Sequence, residues 1–228
     1  MGGSLGDVDS LVVTEIPVGD RRLQMRPHGC FACGELNVSG LHLQLHADAG
    51  VCWAEPTLDE RFMGWEGIAH GGIVCAVLDE VMAWALVDED CWGLTARMSV
   101  DFRRPVPVGL RLRAEGRVVK RRRRVIHTEG RLLDAATGTV LATSVAVYVD
   151  APAERKAELK RRYAFRIAPG ASAGQESAPW PWPRPGNQEP ALERGPMTDP
   201  DPARAKERAA NHLATLTTDQ MIGREAGT

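Results

Sequence analysis

"IAHGGIVCAVLDEVMAWAL" (residues 68–86) is the stretch on which the fold turns. Val74, Leu78, Val81 and Ala85 repeat at helical spacing, so a helix with one buried face is expected from about residue 70 to 87. His70, Gly71 and Gly72 open it. Unpaired N–H groups at a helix N-terminus, reinforced by the helix dipole, suit a developing negative charge. Glycine there leaves room for close approach. Asp79 and Glu80 sit in the middle of the helix. Neighbouring helical residues point about 100° apart, so the two carboxylates face different surroundings.

On either side the period changes to two. "LHLQLHA" (residues 41–47) alternates Leu41, Leu43 and Leu45 with polar partners and predicts a half-buried strand. "DAG" (residues 48–50) predicts a hairpin turn into a second strand, "VCWAE". After the helix come four strand candidates, 95–102, 109–119, 124–134 and 139–149, separated by turns at "RRPVPVG", "KRRR" and "DAATG". One helix among consecutive strands predicts an α+β fold, an antiparallel sheet wrapped on a single helix.

Three ordered segments, "CFACGELNVSGLHL", "GWEGIAHGGIVCAVLDEVMAWAL" and "TARMSVDFRRPVPVG", resemble the hotdog-fold acyl-CoA thioesterases of the PaaI type. The likeness runs over about residues 26–149 and is most specific in "HGG" followed by an acid nine positions after the histidine. It implies a long helix wrapped by an antiparallel sheet, a homodimer or homotetramer whose sheets join, and hydrolysis of an acyl-CoA substrate without metal or cofactor. By position, Asp79 matches the catalytic carboxylate and Gly71, with Gly72 beside it in the substrate site, the backbone oxyanion donor. His70 and Thr95 match positions that orient substrate or water. Several relatives carry Asn six residues before the histidine, where this chain has Gly64.

The helix itself adds a constraint. Gly71 and Asp79 are about 12 Å apart along a helix axis, and a carbonyl bond is only about 1.2 Å long. If both serve one thioester, they come from two chains. Asp79 then acts as general base on water or attacks the carbonyl directly. Strand alternation puts Thr95 on the Ser99 and Asp101 face rather than the Met98 and Val100 face. A non-catalytic acyl-CoA-binding protein on the same fold is the alternative, and Asp79 favours the enzyme. A hydratase needs a compact acid and histidine pair, which this helix lacks. No G-x-S-x-G elbow supports a serine hydrolase.

"KRRRR" (residues 120–124), with Arg103 and Arg104, is the main basic cluster. Arginine suits bidentate phosphate contact, so Arg103, Arg104 and Arg123 are candidates for the CoA phosphates that the resemblance implies. Nucleic acid is not expected, because no aromatic residues interleave with the arginines. Cys30 and Cys33, in "HGCFACG" (residues 28–34), lack a partner CxxC or histidine pair, so buried thiols are expected rather than a metal site.

Across the 228 residues the formal net charge is −2, which gives no overall pull toward nucleic acid or anionic membrane. No apolar run reaches bilayer length, and the first ten residues do not read as a secretory leader. The five scattered cysteines fit free thiols in a reducing, cytoplasmic setting. Ten of the fifteen prolines fall between Pro152 and Pro202. The chain therefore divides into a lead (1–25), a hotdog domain (26–150) and a proline-rich extension (151–228) expected to be mostly disordered. Within the extension, "APAERKAELKRRYAF" is a candidate for a marginal helix. Trp180 and Trp182 are candidates for a docking peptide.

Overall fold

The computed structural model describes residues 14–87 and 90–169. The helix of the opening stretch, α1, runs Gly71–Trp84. Its predicted stripe of Val74, Leu78, Val81 and Ala85 is buried, together with Val77, Met82 and Leu86. Around it lie eleven described strands: β1 (Thr14–Val18), β2 (Arg21–Met25), β3 (His46–Asp48), β4 (Val51–Ala54), β5 (Met63–Trp65), β6 (Ile68–Ala69), β7 (Gly93–Phe102), β8 (Leu112–Arg122), β9 (Val125–Asp134), β10 (Val140–Asp150) and β11 (Arg166–Pro169). A second helix, α2, spans Ala153–Arg162. Nine strands form one sheet in the order β11-β2-β1-β3-β4-β8-β9-β10-β7, and β5 pairs with β6 apart from it. The large sheet is antiparallel except for the β1–β3 contact at Val18 and Ala47. This is the α+β hotdog arrangement expected from the sequence.

A row of small residues lets the helix sink into the sheet. Cys52 pairs with Gly116, Gly116 with Gly130, and Gly130 with Ser144 across four strands. A β-carbon on Gly116 would stand 2.5 Å from the backbone carbon and oxygen of Val81, and one on Gly130 would meet the Met82 side chain at 3.1 Å. The α1 backbone therefore lies directly on β8, and its Met82 and Leu78 side chains lie on β9. Burial of Val77, Leu78, Val81 and Met82 against this floor contributes roughly 1.5–3 kcal/mol for each large side chain.

Three sequence expectations take a different form. Leu43 and Leu45 are buried as their alternation predicts, but residues 41–45 do not pair as a strand. The Leu41 and Leu43 N–H groups donate instead to Phe31 and Ala32 carbonyls of the preceding loop, and β3 begins only at His46. The lead is not separate from the sheet over Thr14–Met25, since β1 and β2 form a hairpin in it. Nor is the start of the extension loose: α2 and β11 pack back onto the body. Asp150, buried, accepts from the Trp92 N–H and from Lys156 Nζ, both at 3.0 Å. Tyr163 and Phe165 pack on Trp92, and β11 pairs with β2. These side chains supply the apolar surface that α2, with no buried residue of its own, lacks. The proline-rich segment from 170 onward, with Trp180 and Trp182, lies outside the described residues.

Candidate active site

At the start of α1, His70 is the N-cap. Its Nδ1 accepts from the Gly72 N–H at 3.0 Å, and its carbonyl accepts from the Ile73 and Val74 N–H groups. The imidazole thus caps the helix. It also divides the glycine pair: the Gly72 amide is occupied, while the Gly71 amide has no protein acceptor among the described residues. A β-carbon on Gly71 would lie 3.4 Å from the Phe102 ring at the end of β7, so an apolar surface borders that donor. Gly64 packs on the other side, where a side chain would meet His70 Cα at 3.0 Å.

Two turns further along, the acids part as their angular spacing requires. Asp79 turns toward β7 and β10. Its Oδ1 accepts from Thr95 Oγ1 at 2.9 Å and from the Tyr148 hydroxyl at 2.7 Å, while Oδ2 has no protein partner among the described residues. Tyr148 also donates to the Asp79 carbonyl at 2.9 Å. Burial and the neighbouring Asp79 charge push the Tyr148 hydroxyl well above its ordinary range, so it stays a donor. One carboxylate oxygen is therefore held and the other is left open to a proton or a carbonyl carbon.

Thr95 reaches Asp79 because of a β-bulge. Val147 pairs with Arg97, but Tyr148 pairs with Thr95, so Ala96 is skipped. The extra residue reverses the alternation and puts Thr95 on the helix-facing side with Met98 and Val100. The face expected from strict alternation is thus corrected. Tyr148 itself was missed in the sequence, where it is one apolar position in a strand pattern.

Glu80 turns the opposite way, toward the loop before β3. Its Oε1 accepts from Trp84 Nε1 at 2.8 Å, and both carboxylate oxygens lie 3.9 Å from Cys30 Sγ. Burial pushes its carboxyl up to about 7, and the Cys30 charge adds to the shift.

The candidate phosphate ligands do not converge in one chain. Arg103 and Arg104, both exposed, follow the end of β7, where their N–H groups donate to the Leu141 carbonyl. Arg123 occupies the β8–β9 turn with φ 53°, at the end of the sheet where Val149 pairs with Leu94 and Val125. About eight residues of β7 separate those levels, roughly 26 Å of strand.

Edge strand β7 is ten residues long and pairs only with β10 among the described strands. Leu94 and Phe102 on it are 73% and 45% exposed. A long unpaired edge with exposed apolar side chains is a template for another strand.

Residues 66–141 match the family model of the thioesterase superfamily. Among solved structures the chain is similar to a thioesterase superfamily protein at 27% identity and a TM-score of 0.49, covering 54% of this chain and 60% of that one, less than two thirds of its length. It is also similar to zebra fish thioesterase superfamily member 2, at 16% identity and a TM-score of 0.48, covering 52% of this chain and 90% of that one. The E. coli PaaI protein from the phenylacetic acid degradation operon gives 17% identity and a TM-score of 0.47, covering 49% of this chain and 81% of that one. No curated protein matches the chain.

Proposed function

We propose that this chain hydrolyses the thioester of an acyl-CoA to a free acid and CoA, because residues 66–141 match the thioesterase superfamily model and the sequence carries the PaaI-type pattern. The reaction centre lies between two copies of the chain. In this reading the Gly71 N–H of one copy holds the thioester oxygen as it becomes an oxyanion. Asp79 of the other copy, fixed by Thr95 and Tyr148, takes a proton from the attacking water through its open oxygen. The CoA thiolate leaves and takes up a proton.

The observation that carries the reading is the division of α1 into two half-sites. The free amide at Gly71 and the half-held carboxylate of Asp79 stand about 12 Å apart on one helix. Both border β7: Phe102 lies by Gly71 and Thr95 bonds Asp79. Antiparallel pairing of two β7 strands centred near Met98 and Ser99 brings the Thr95 end of one copy to the Phe102 end of the other. The same symmetry brings Arg123 of one copy toward Arg103 and Arg104 of the other, where a CoA molecule spans them. The five free cysteines support a reducing, cytoplasmic setting.

Complementation tests the proposal. Asp79→Asn lowers kcat for acyl-CoA hydrolysis at least about a hundredfold. Gly71→Pro removes one N–H at the first helical position, where proline is tolerated, and lowers kcat by about 10²- to 10³-fold. When the two inactive variants are unfolded and refolded together, about a quarter of wild-type activity returns, since half the dimers are mixed and each has one intact site. No recovery would place both groups in one chain and end the shared-site reading. Unchanged hydrolysis by Asp79→Asn would remove Asp79 from the reaction.

A further inference from the structure

We propose that Cys30, Cys33 and Glu80 form a three-ligand site for a thiophilic divalent cation, zinc by the chemistry of the donors, that ties the loop at residues 28–34 to the middle of α1. The site stands apart from the hydrolysis reading and needs no catalytic role.

The loop is built to bring its two thiols together. The Gly34 N–H donates to the Cys30 carbonyl at 3.0 Å and the Leu36 N–H to the His28 carbonyl at 3.1 Å. A β-carbon on Gly34 would lie 2.3 Å from the His28 oxygen and 2.4 Å from the Cys30 nitrogen, so only glycine closes this turn. The His28 imidazole accepts from the Cys30 N–H at 3.3 Å. The Cys33 thiol and the Cys33 and Ala32 backbone N–H groups are directed at the Cys30 sulfur. C-x-x-C-G with this turn sets two cysteine sulfurs side by side, the donors a thiophilic cation takes.

The third donor comes from outside the motif, which is why its spacing in the sequence showed no site. One donor atom from each of Cys30, Cys33 and Glu80 lies within 4.8 Å of the others. Tetrahedral zinc with Zn–S of about 2.3 Å and Zn–O of about 2.0 Å sets its sulfur and oxygen ligands about 3.5 Å apart. The Cys30 sulfur to Glu80 oxygen distance of 3.9 Å is within a few tenths of an ångström of that. Trp84 holds Oε1 of Glu80 and leaves Oε2 for the ion, the outer-shell contact typical of metal carboxylates. No ion pair joins Glu80 to a cationic side chain among the described residues, so a bound cation would be the positive partner of this carboxylate. Cys33 also lines a cleft that it shares with Thr14, Glu35 and His42.

The test uses the full chain, purified reduced and without a histidine tag. Wild type retains about one zinc per chain by elemental mass spectrometry, and Co²⁺ replacing it shows thiolate-to-metal charge-transfer absorption. Cys33→Ser loses that band. Glu80→Gln, which keeps both thiols, lowers Co²⁺ affinity by about 10- to 100-fold, and chelation of wild type lowers Tm by about 5 °C. Absence of the Co²⁺ band in wild type, or a Glu80→Gln variant that binds Co²⁺ as tightly as wild type, overturns the site. Isolation of the metal-free protein with a Cys30–Cys33 disulfide does so equally. Should Cys33→Ser fail to fold, the Glu80→Gln titration decides.

Discussion

Tyr148 stands 69 positions from Asp79 in the chain, yet its hydroxyl bonds both the Asp79 carboxylate and the Asp79 carbonyl. It fixes where the acid points and the helix turn that carries it. In the proposed reaction it is a positioning residue. Tyr148→Phe removes a hydrogen bond to a charged group, about 1.5 kcal/mol, and lowers kcat about tenfold with KM unchanged. Equal changes in kcat and KM for acyl-CoA would deny that role. Little of this detail was legible beforehand. Asp79 stands out in the sequence because a carboxylate interrupts an apolar helix. Tyr148 does not, because its value lies in one oxygen whose partner is set by the strand order. His70 was legible as a residue, but its capping bond, which selects Gly71 over Gly72 as the open donor, follows from the helix start in three dimensions.

Helix α1 and the strands beneath it define one another's position. The small row of Cys52, Gly116, Gly130 and Ser144 makes the shallow floor, and the α1 backbone occupies it at Val81 and Met82. Gly116→Ala drives a β-carbon into main-chain atoms that no rotamer change can move. We expect a loss of about 3 kcal/mol or more, read as a fall in the denaturant midpoint. A midpoint equal to wild type would mean that the helix can rise off β8 without penalty. Hydrophobic period revealed α1 and the last four strands of the large sheet's core, because each buries one face. The bulge at Ala96 broke that logic, since one inserted residue reverses inside and outside for everything beyond it. The Leu41–Leu45 segment broke it too, for burial is achieved there without a neighbouring strand.

At the scale of the molecule, residues on both sides of the expected 26–150 body complete the sheet. The β1–β2 hairpin extends one wing, and β11 pairs along β2 after α2 has crossed back over Trp92. Asp150 joins these parts, taking hydrogen bonds from Lys156 and the Trp92 amide. A chain ending at Asp150 loses α2 and β11, uncovers Trp92 and the β2 edge, and leaves Asp150 without Lys156. Its Tm falls by about 5 °C or more, and its intrinsic tryptophan emission shifts to the red. An unchanged Tm would show α2 and β11 to be passengers. Among the described residues, no helix is long and apolar enough to cross a membrane.

From the order of residues alone came the α+β class, α1 with its buried stripe, the strands that follow it, and a glycine pair and an acid pair on one helix; the choice of Asp79 over Glu80 came from the resemblance to the PaaI-type thioesterases. Those features are local: a period of 3.6 or 2, a glycine pair at a helix start, and a charge amid apolar residues each leave a mark within a few positions. Tertiary structure alone decided which oxygen Tyr148 meets, which way Thr95 faces, and that Glu80 looks onto Cys30 and Cys33 across 50 residues of chain. Contacts between distant segments depend on register, bulges and the depth at which a helix sits on its sheet, and no spacing in the sequence records those.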